Sequence, residues 1–310
     1  MSLTKVTYSR NTIYFNDMTT LKQILLGGIA LLGLLAGCQA EKTTYDGPDY
    51  VLFSADSHTL GILDSEEWFE IPISATRIAS EERTIGVEVV AAESSAIEGL
   101  HYVLESNTLT IPKGELTTAV RIRGLAENIE INSMLSIKLR LVIEPELVWD
   151  AYGIESEIQL QRCCPFDINN FTGYAKVTST WIMQYMNAEA RLVRTERDTK
   201  DPNAIIVKDM FYDGYDIRLV LNSEDRLNPT VAMAEQVLGT TGEAFGTIYG
   251  NGKLMMAEPT GYTSYYGTCE NFLVLYSMMY VDGVGVVGTY VNIFEWISDL
   301  EAERIMREGF

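Results

Sequence analysis

Short runs in which apolar and polar residues alternate recur through this chain, and they constrain its fold more than any other feature. Alternation of this kind puts one face of a β-strand against a core and the other in water. Before residue 162 the apolar positions are Phe69, Ile71, Ile73, Ala75, Ile85, Val87, Val89, Val120, Ile122, Leu135, Ile137, Leu139, Leu141, Ile158 and Leu160. These positions predict an antiparallel β-sandwich over residues 48–161.

Further strand patterns follow in the second half of the chain, near 171–180, 189–196, 203–211, 215–222, 229–238, 244–249, 270–281 and 284–296. Eight strands suffice to close a barrel that is filled or holds one small ligand, and Asp282-Gly283 is a hairpin signal between the last two. We predict an all-β fold, with the sandwich followed after a boundary at 161–173 by an antiparallel barrel over 165–310. Residues 297–309 predict a tail helix whose inward side chains are Ile297, Leu300, Ile305 and Met306.

An apolar segment near the start of the chain predicts export from the cytosol. It covers the 13 residues 24–36, with Lys22 ahead of it. A membrane-spanning helix needs about 20 apolar residues, so this segment has the length of a signal-peptide core instead. Met18 lies directly upstream, and we therefore interpret residues 1–17 as an incorrectly assigned start and residues 1–37 as absent from the mature protein.

The sequence Leu35-Ala36-Gly37-Cys38 ends this segment and resembles the lipobox of bacterial lipoproteins. The resemblance implies that Cys38 is acylated and anchors the protein to a membrane through a polar tether, residues 38–47; an ordinary cleavable signal is the alternative. Glu41 and Asp46 in the tether resemble a weak form of the surface-export signal of lipoproteins from glycan-feeding gut-type bacteria. We expect a lipid-anchored protein of the cell envelope, in the outer membrane, with display at the cell surface left open.

The charge balance argues against nucleic acid as a partner. The formal net charge is −20, and the first 37 residues carry three basic side chains against one acidic, so the remainder carries −22. Phosphate backbones repel so acidic a chain. An anionic bilayer also repels an acidic chain. Acyl chains would offset this repulsion, because each buried methylene contributes about 0.8 kcal/mol to membrane binding.

Two resemblances cover the two predicted domains. Gly99, Tyr102, the Leu-Thr-Ile strand and the Pro-Lys-Gly-Glu turn at 112–115 resemble the Calx-β type of immunoglobulin-like domain. Its calcium-binding members have clustered acidic loops, whereas residues 126–133 hold only Glu127 and Glu130, so we expect neither a metal nor another cofactor. The sequence Cys-Pro-Phe-Asp at 164–167, followed by Phe-Thr-Gly, resembles the entry into lipocalin-like barrels of uncharacterised families found in surface lipoproteins.

Cysteine and histidine positions limit the chemistry that this chain can perform. Three cysteines follow Cys38, and either Cys163 or Cys164 could pair with Cys269; three reduced thiols are the alternative. We favour Cys164–Cys269 as the candidate disulfide. The only histidines, His58 and His101, precede the barrel, so a Ser-His-Asp site inside it is excluded. No motif selects a pair of carboxylates, and we predict that the protein is not an enzyme.

Aromatic residues provide the remaining candidates for a binding site. They are Trp181, Tyr185, Tyr262, Tyr265 and Tyr266, the last three within the glycine-bounded segment 261–267. Exposed aromatic rings often hold sugars, although packing in the core or at the barrel rim is the alternative that the residues themselves favour. The chain resembles accessory surface lipoproteins of polysaccharide-utilising bacteria, and this resemblance implies non-enzymatic binding of an extracellular glycan or small ligand. A structural lipoprotein that contacts other envelope proteins is the alternative.

Overall fold

The N-terminal part of the structure is a sandwich of two sheets. The computed structural model describes residues 45–63 and 66–310. The sandwich strands are β1 (Val51–Phe53), β2 (Ser57–Ile62), β3 (Trp68–Ala75), β4 (Arg83–Val89), β5 (Tyr102–Leu104), β6 (Thr108–Ile111), β7 (Thr117–Gly124), β8 (Met134–Val142) and β9 (Glu155–Arg162). One sheet has the order β1-β3-β7-β5 and the other β2-β9-β8-β4-β6, and β2 alone runs parallel to its neighbour, β9.

Alternation along the sandwich strands produces one buried core between the two sheets. In β3 and β7, Ile71 lies opposite Val120, and both are buried. In β8, Ile137 and Leu139 are buried, whereas the intervening Lys138 faces outward and pairs with Glu155. The predicted immunoglobulin-like sandwich is therefore confirmed, because local patterning and the pairing of strands agree.

The C-terminal part of the structure consists of ten strands. These are β10 (Gly173–Ser179), β11 (Ala190–Arg197), β12 (Ala204–Lys208), β13 (Ile217–Asn222), β14 (Thr230–Ala232), β15 (Gln236–Thr240), β16 (Lys253–Ala257), β17 (Ser264–Gly267), β18 (Phe272–Val281) and β19 (Gly285–Ile297). Three helices accompany them: α1 (Thr180–Tyr185), α2 (Thr241–Phe245) and α3 (Asp299–Glu308). Short 3-10 turns lie at Ala91–Glu93, Ala126–Asn128, Pro145–Leu147 and Ile168–Phe171.

Eight of these strands close into an antiparallel barrel. The circuit is β10-β11-β12-β13-β14-β17-β18-β19, and β19 closes it by pairing with both β18 and β10. Strand β18 is long enough to pair with β17 near its start and with β16 near its end. The β15–β16 hairpin thus extends the sheet at the end of the barrel opposite to β9. The predicted barrel is confirmed.

Side chains fill the interior of the barrel. The largest of them are Trp181, Phe171, Phe211, Phe294, Tyr266 and Tyr290, all buried. A small polar group sits among them, because the Asn292 amide donates to the Ser277 hydroxyl at 2.9 Å and its oxygen lies 2.7 Å from the Ser179 hydroxyl. The interior of the barrel is packed like an ordinary core.

Two of the predicted barrel strands differ from the structure. Residues 244–249 are not a strand: the Thr240 hydroxyl accepts from the Glu243 amide and the Glu243 carboxylate accepts in return, a capping box that starts helix α2. The predicted strand 229–238 is two strands, β14 and β15, and the short strands β16 and β17 fall in segments where we predicted none. The turn at Asp282-Gly283 is a three-residue loop, because Val281 pairs with Gly285.

The tail helix forms, but two of its predicted inward residues are wrong. Leu300 is 75% exposed and Met306 is 57% exposed, whereas Ala302 and Ile305 are buried against the barrel. Ser298 caps the helix, so Ile297 belongs to β19 and the buried stripe follows the i, i+3 spacing of 302 and 305. Leu300, two residues before Ala302, therefore points to solvent.

Residues 48–310 form one compact unit. Within the described residues, no helix has the length and apolar character that crossing a bilayer requires. The predicted signal peptide and Cys38 lie outside the described residues.

Candidate functional site

Trp181, a predicted ligand-contacting residue, lies in the core instead. The Ser179 hydroxyl caps α1, which turns the indole into the end of the barrel, where it is fully buried. It stacks on Tyr185 with ring centroids 4.2 Å apart and meets Tyr290 edge-on at 5.0 Å. The Tyr185 hydroxyl lies 3.5 Å from that of Tyr290, and burial raises the pKa of Tyr290. Trp181 has no surface to offer a ligand, and Tyr185 packs with it.

The three tyrosines of segment 261–267 have different surroundings. Tyr265 and Tyr266 are adjacent in β17, so their side chains point to opposite faces. Tyr266 is buried against Phe171, and burial raises its pKa to about 12. Tyr265 is 42% exposed on the outer face. Tyr262 is also exposed and packs on Tyr276 at 5.2 Å. Of the five predicted residues, Tyr265 and Tyr266 alone line the cleft described next.

A cleft of about 420 Å³ lies where the sandwich meets the barrel. We call it the junction cleft. Its sandwich wall includes Ile131, Asn132 and Gln161, and its barrel wall includes Arg226, Asn228, Tyr265, Glu270 and Phe272. Its volume falls in the range of roughly 300–1,000 Å³ that is usual for small-ligand sites. Both modules therefore contribute to one concave surface.

The aromatic part of the junction cleft is held rigidly. Phe272, the first residue of β18, meets the Tyr265 ring edge-on with centroids 6.1 Å apart. The two residues belong to neighbouring paired strands, in which Tyr265 lies opposite Val274. Strand pairing thus fixes the direction of the Tyr265 ring before any ligand arrives, which lowers the entropy cost of binding.

The loop that carries Arg226 and Asn228 is ordered by its own side chains. The Asp225 carboxylate accepts from the amide groups of Leu227 and Asn228, at 2.9 and 3.2 Å, and from the Asn228 side chain at 3.0 Å. These hydrogen bonds hold the pKa of Asp225 below its usual value. The polar groups on this wall are preorganised in the same way as the aromatic ones.

A disulfide and a hydrogen bond fix the part of the barrel wall that carries Glu270. Cys164 is bonded to Cys269 in the turn between β17 and β18, and Cys163 is a buried free cysteine whose thiol pKa is raised by burial. Glu270, the residue after Cys269, accepts a hydrogen bond of 2.6 Å from the side-chain amide of Asn132 in the sandwich. Asn132 has a positive φ of 67°, a conformation that asparagine tolerates better than most residues.

An ion pair joins the two modules beside the cleft. The Arg226 guanidinium contacts both carboxylate oxygens of Glu67, with N–O distances of 2.5 and 3.4 Å, and one nitrogen also lies 3.4 Å from the Gly61 carbonyl oxygen. The hydrogen bonds to Glu67 raise the pKa of Arg226. The positive charge that the barrel presents at the cleft is therefore matched by a carboxylate from the sandwich.

The two histidines, which are possible metal ligands, lie elsewhere in the described residues. Across residues 45–63 and 66–310, no group of three or more His, Cys, Asp or Glu side chains is arranged to hold a metal ion. His101 has a structural role, since its Nδ1 accepts from the Ile97 amide at 2.9 Å. Burial lowers the pKa of His58.

Sequence reasoning found Tyr265 but missed the polar residues of the cleft. Asn132, Arg226, Asn228 and Glu270 lie in three loops far apart in the chain. Each is an ordinary loop residue, and no local spacing marks any of them. The disulfide candidate Cys164–Cys269 was the one sequence signal that joined two of the segments that meet here.

The fold and the cleft define a two-module, all-β protein with a ligand-sized site between a sandwich and a filled barrel. The chain belongs to the family described as Domain of unknown function (DUF4984), which matches residues 151–308. The match includes β9 and the whole barrel. No curated protein shows significant similarity to the chain.

Three solved structures illustrate the wider similarity. The apo-form Calx CBD1 domain is 16% identical, with a TM-score of 0.31, and the match covers 37% of this chain and 98% of that one. A protein of unknown function from Bacteroides ovatus is 6% identical, with a TM-score of 0.33 and coverage of 79% and 89%. An auxiliary nutrient binding protein from Bacteroides thetaiotaomicron is 14% identical, with a TM-score of 0.30 and coverage of 78% and 91%. Identities and TM-scores this low do not indicate what the protein does.

Proposed function

We propose that this protein is a non-enzymatic lipoprotein of the cell envelope that binds an extracellular glycan in the junction cleft. The observation that carries the proposal is the partly exposed ring of Tyr265, set in a cleft whose other polar groups include the side-chain amides of Asn132, Asn228 and Gln161. The apolar face of a sugar ring packs on an aromatic ring, and its hydroxyl groups exchange hydrogen bonds with amides. The aromatic ring thus fits the apolar face of a pyranose, and the amides fit its hydroxyl groups.

The proposed anchor agrees with the direction in which the chain enters the sandwich. β3 begins next to Glu67, at the junction, and ends at Ala75, which pairs with Val51 of β1. Val51 thus lies at the end of the sandwich far from the cleft, about 25 Å away at the rise of a β-strand. A lipid on Cys38, joined through residues 38–47, would attach the protein at the end of the sandwich that lies far from the cleft.

Affinity electrophoresis of the purified full-length protein in gels that contain a polysaccharide tests the binding proposal. We expect retention by at least one polysaccharide and a loss of about tenfold in affinity, or 1.4 kcal/mol, in Tyr265→Ala. Tyr262→Ala is the matched control, because Tyr262 is an exposed tyrosine of the same segment that does not line the cleft. Equal losses in both variants, or no retention by any polysaccharide, would contradict the proposal.

Anchoring has a separate test. The wild-type protein should fractionate with membranes and yield an acylated N-terminal peptide at Cys38 by mass spectrometry. Cys38→Ala should appear in the soluble fraction or keep its leader. A wild-type protein with an unmodified Cys38 thiol would refute the anchor and leave the glycan proposal standing.

One observation favours the alternative, a lipoprotein that contacts other envelope proteins. At the barrel end far from the sandwich, Ile248, Tyr249, Val284 and Val286 are exposed, and several of these residues line a shallow apolar depression with Phe245. Clustered exposed apolar side chains often mark interaction surfaces. Under this alternative, Val284→Asp with Val286→Asp would abolish co-purification of an envelope protein, while Tyr265→Ala would change nothing.

A further inference from the structure

We propose that the junction cleft selects uncharged over anionic polysaccharides, and that Glu67 sets this selection by occupying the guanidinium group of Arg226. The inference rests on the proposed glycan-binding function and adds the chemical class of the ligand. It also gives a role in specificity to a residue of the sandwich, which otherwise would act only as a spacer.

Arg226 is the cleft residue best suited to capture a carboxylate or sulfate. A guanidinium presents its donors in a fork that fits such groups with two parallel hydrogen bonds. Here the fork already holds the Glu67 carboxylate through both of its terminal nitrogens. An anionic sugar would have to displace Glu67 and would leave that carboxylate facing a second negative charge.

The remaining charges at the cleft do not favour an anion. Glu270 also lines the cleft, and it accepts a hydrogen bond from the side-chain amide of Asn132. Arg162 is the other positively charged residue that lines the cleft, and its guanidinium donates a hydrogen bond of 3.4 Å to the Ile129 carbonyl oxygen. With Glu67 included, the two arginines are balanced by two glutamates.

The long-range field acts in the same direction. The chain after the predicted leader carries a net charge of −22. Such a field lowers the local concentration of polyanions and slows their association, and the effect weakens as salt screens it. The contacts that remain available are the Tyr265 ring and the amides of Asn132 and Asn228, which suit a neutral pyranose.

The test compares retention of the full-length protein in gels that contain neutral glucan, mannan or arabinoxylan with gels that contain polygalacturonate or alginate. The key variant is Glu67→Gln, which releases Arg226. Glu66→Gln is the matched control, because it makes the same charge change one residue away, where Glu66 pairs with Arg123 instead. Glu67→Gln with Arg226→Gln removes the released cation again. An exposed ion pair contributes little to stability, so these variants should fold, and thermal unfolding checks this.

We expect the wild type to bind a neutral polysaccharide and no anionic one. Glu67→Gln should gain at least tenfold in affinity for polygalacturonate or alginate, and 0.5 M salt should reverse the gain, whereas Glu66→Gln and the double variant should resemble the wild type. Wild-type binding to an anionic polysaccharide would overturn the inference and leave the proposed function intact. A Glu67→Gln variant that matches Glu66→Gln would also overturn it. Absence of retention on all of these polysaccharides would instead overturn the glycan-binding function itself.

Discussion

The disulfide between Cys164 and Cys269 gives the sharpest test of the junction. The two cysteines are 105 residues apart, and the bond closes a loop that contains most of the barrel. The loop-closure entropy model assigns about 4.8 kcal/mol to a cross-link over that length at 25 °C. We therefore expect Cys164→Ser with Cys269→Ser to lower the free energy of unfolding by up to that amount.

Urea unfolding followed by tryptophan fluorescence measures this loss, because Trp181 and Trp296 belong to the barrel core. The measurement is made with and without dithiothreitol. Reductant should lower the free energy of unfolding of the wild type by the same amount as the double substitution and should leave the double variant unchanged. Cys163→Ala is the matched control, because it removes a buried thiol that forms no disulfide. Its small loss in free energy of unfolding should be the same with and without reductant. Reductant should therefore destabilise this variant as much as it destabilises the wild type.

The refuting result is a wild type whose unfolding free energy is the same in oxidising and reducing buffer. The folded protein would then carry three reduced thiols, and the β17–β18 turn would be held by Glu270 and Asn132 without a covalent link. A loss seen only in the double variant, and not on reduction, would instead indicate that serine disturbs the packing.

Three further predictions concern the barrel. Asn292→Ala should lower the free energy of unfolding by about 3 kcal/mol in thermal unfolding, since it removes the buried acceptor of the Ser179 hydroxyl and the buried donor to the Ser277 hydroxyl. In the tail helix, Ile305→Ala should cost about 2 kcal/mol and Leu300→Ala less than about 0.5 kcal/mol; similar costs would contradict the observed helix orientation. Burial raises the pKa of Tyr266 to about 12, so this one residue should lower the free energy of unfolding by about 1.4 kcal/mol per pH unit from pH 10 to 12, in addition to the falls from other tyrosines with raised pKa values. Tyr266→Phe should show a shallower fall in urea unfolding over that range.

The fold could be predicted wherever local patterning decides which side of a strand is buried. In β8, alternation alone placed Ile137 and Leu139 inside and Lys138 outside, as the structure has them. The prediction failed at 244–249, where the capping box of Thr240 and Glu243 favours a helix over the apolar pattern that follows. It also missed β17, a strand of four residues that is too short to display a period.

The residues of the candidate site could be predicted only in part, for a different reason. Alternation required that Tyr265 and Tyr266 face opposite ways, but the period of two does not say which of them is inside. The register between β17 and β18 decides it, by placing Tyr266 opposite Leu273, which belongs to the core cluster of the barrel, whereas Tyr265 lies opposite Val274, which does not. Arg226 and Glu67 are 159 residues apart, and their contact depends on how two complete modules meet, which neither local spacing nor composition encodes.

The filled barrel changes the role that the sandwich must have. A lipocalin-like barrel with an open interior could bind a ligand alone, and the sandwich would then serve only to hold it away from the membrane. Trp181 and its neighbours occupy the interior, whereas the junction cleft lies outside it, and the sandwich supplies to this cleft Asn132 and one partner of the Arg226–Glu67 pair. Under the proposed function, a ligand in the cleft contacts both modules, so its binding energy and the stability of the junction are linked. A change that loosens the contact between the modules should then weaken binding, and a bound ligand should strengthen that contact by the same free energy.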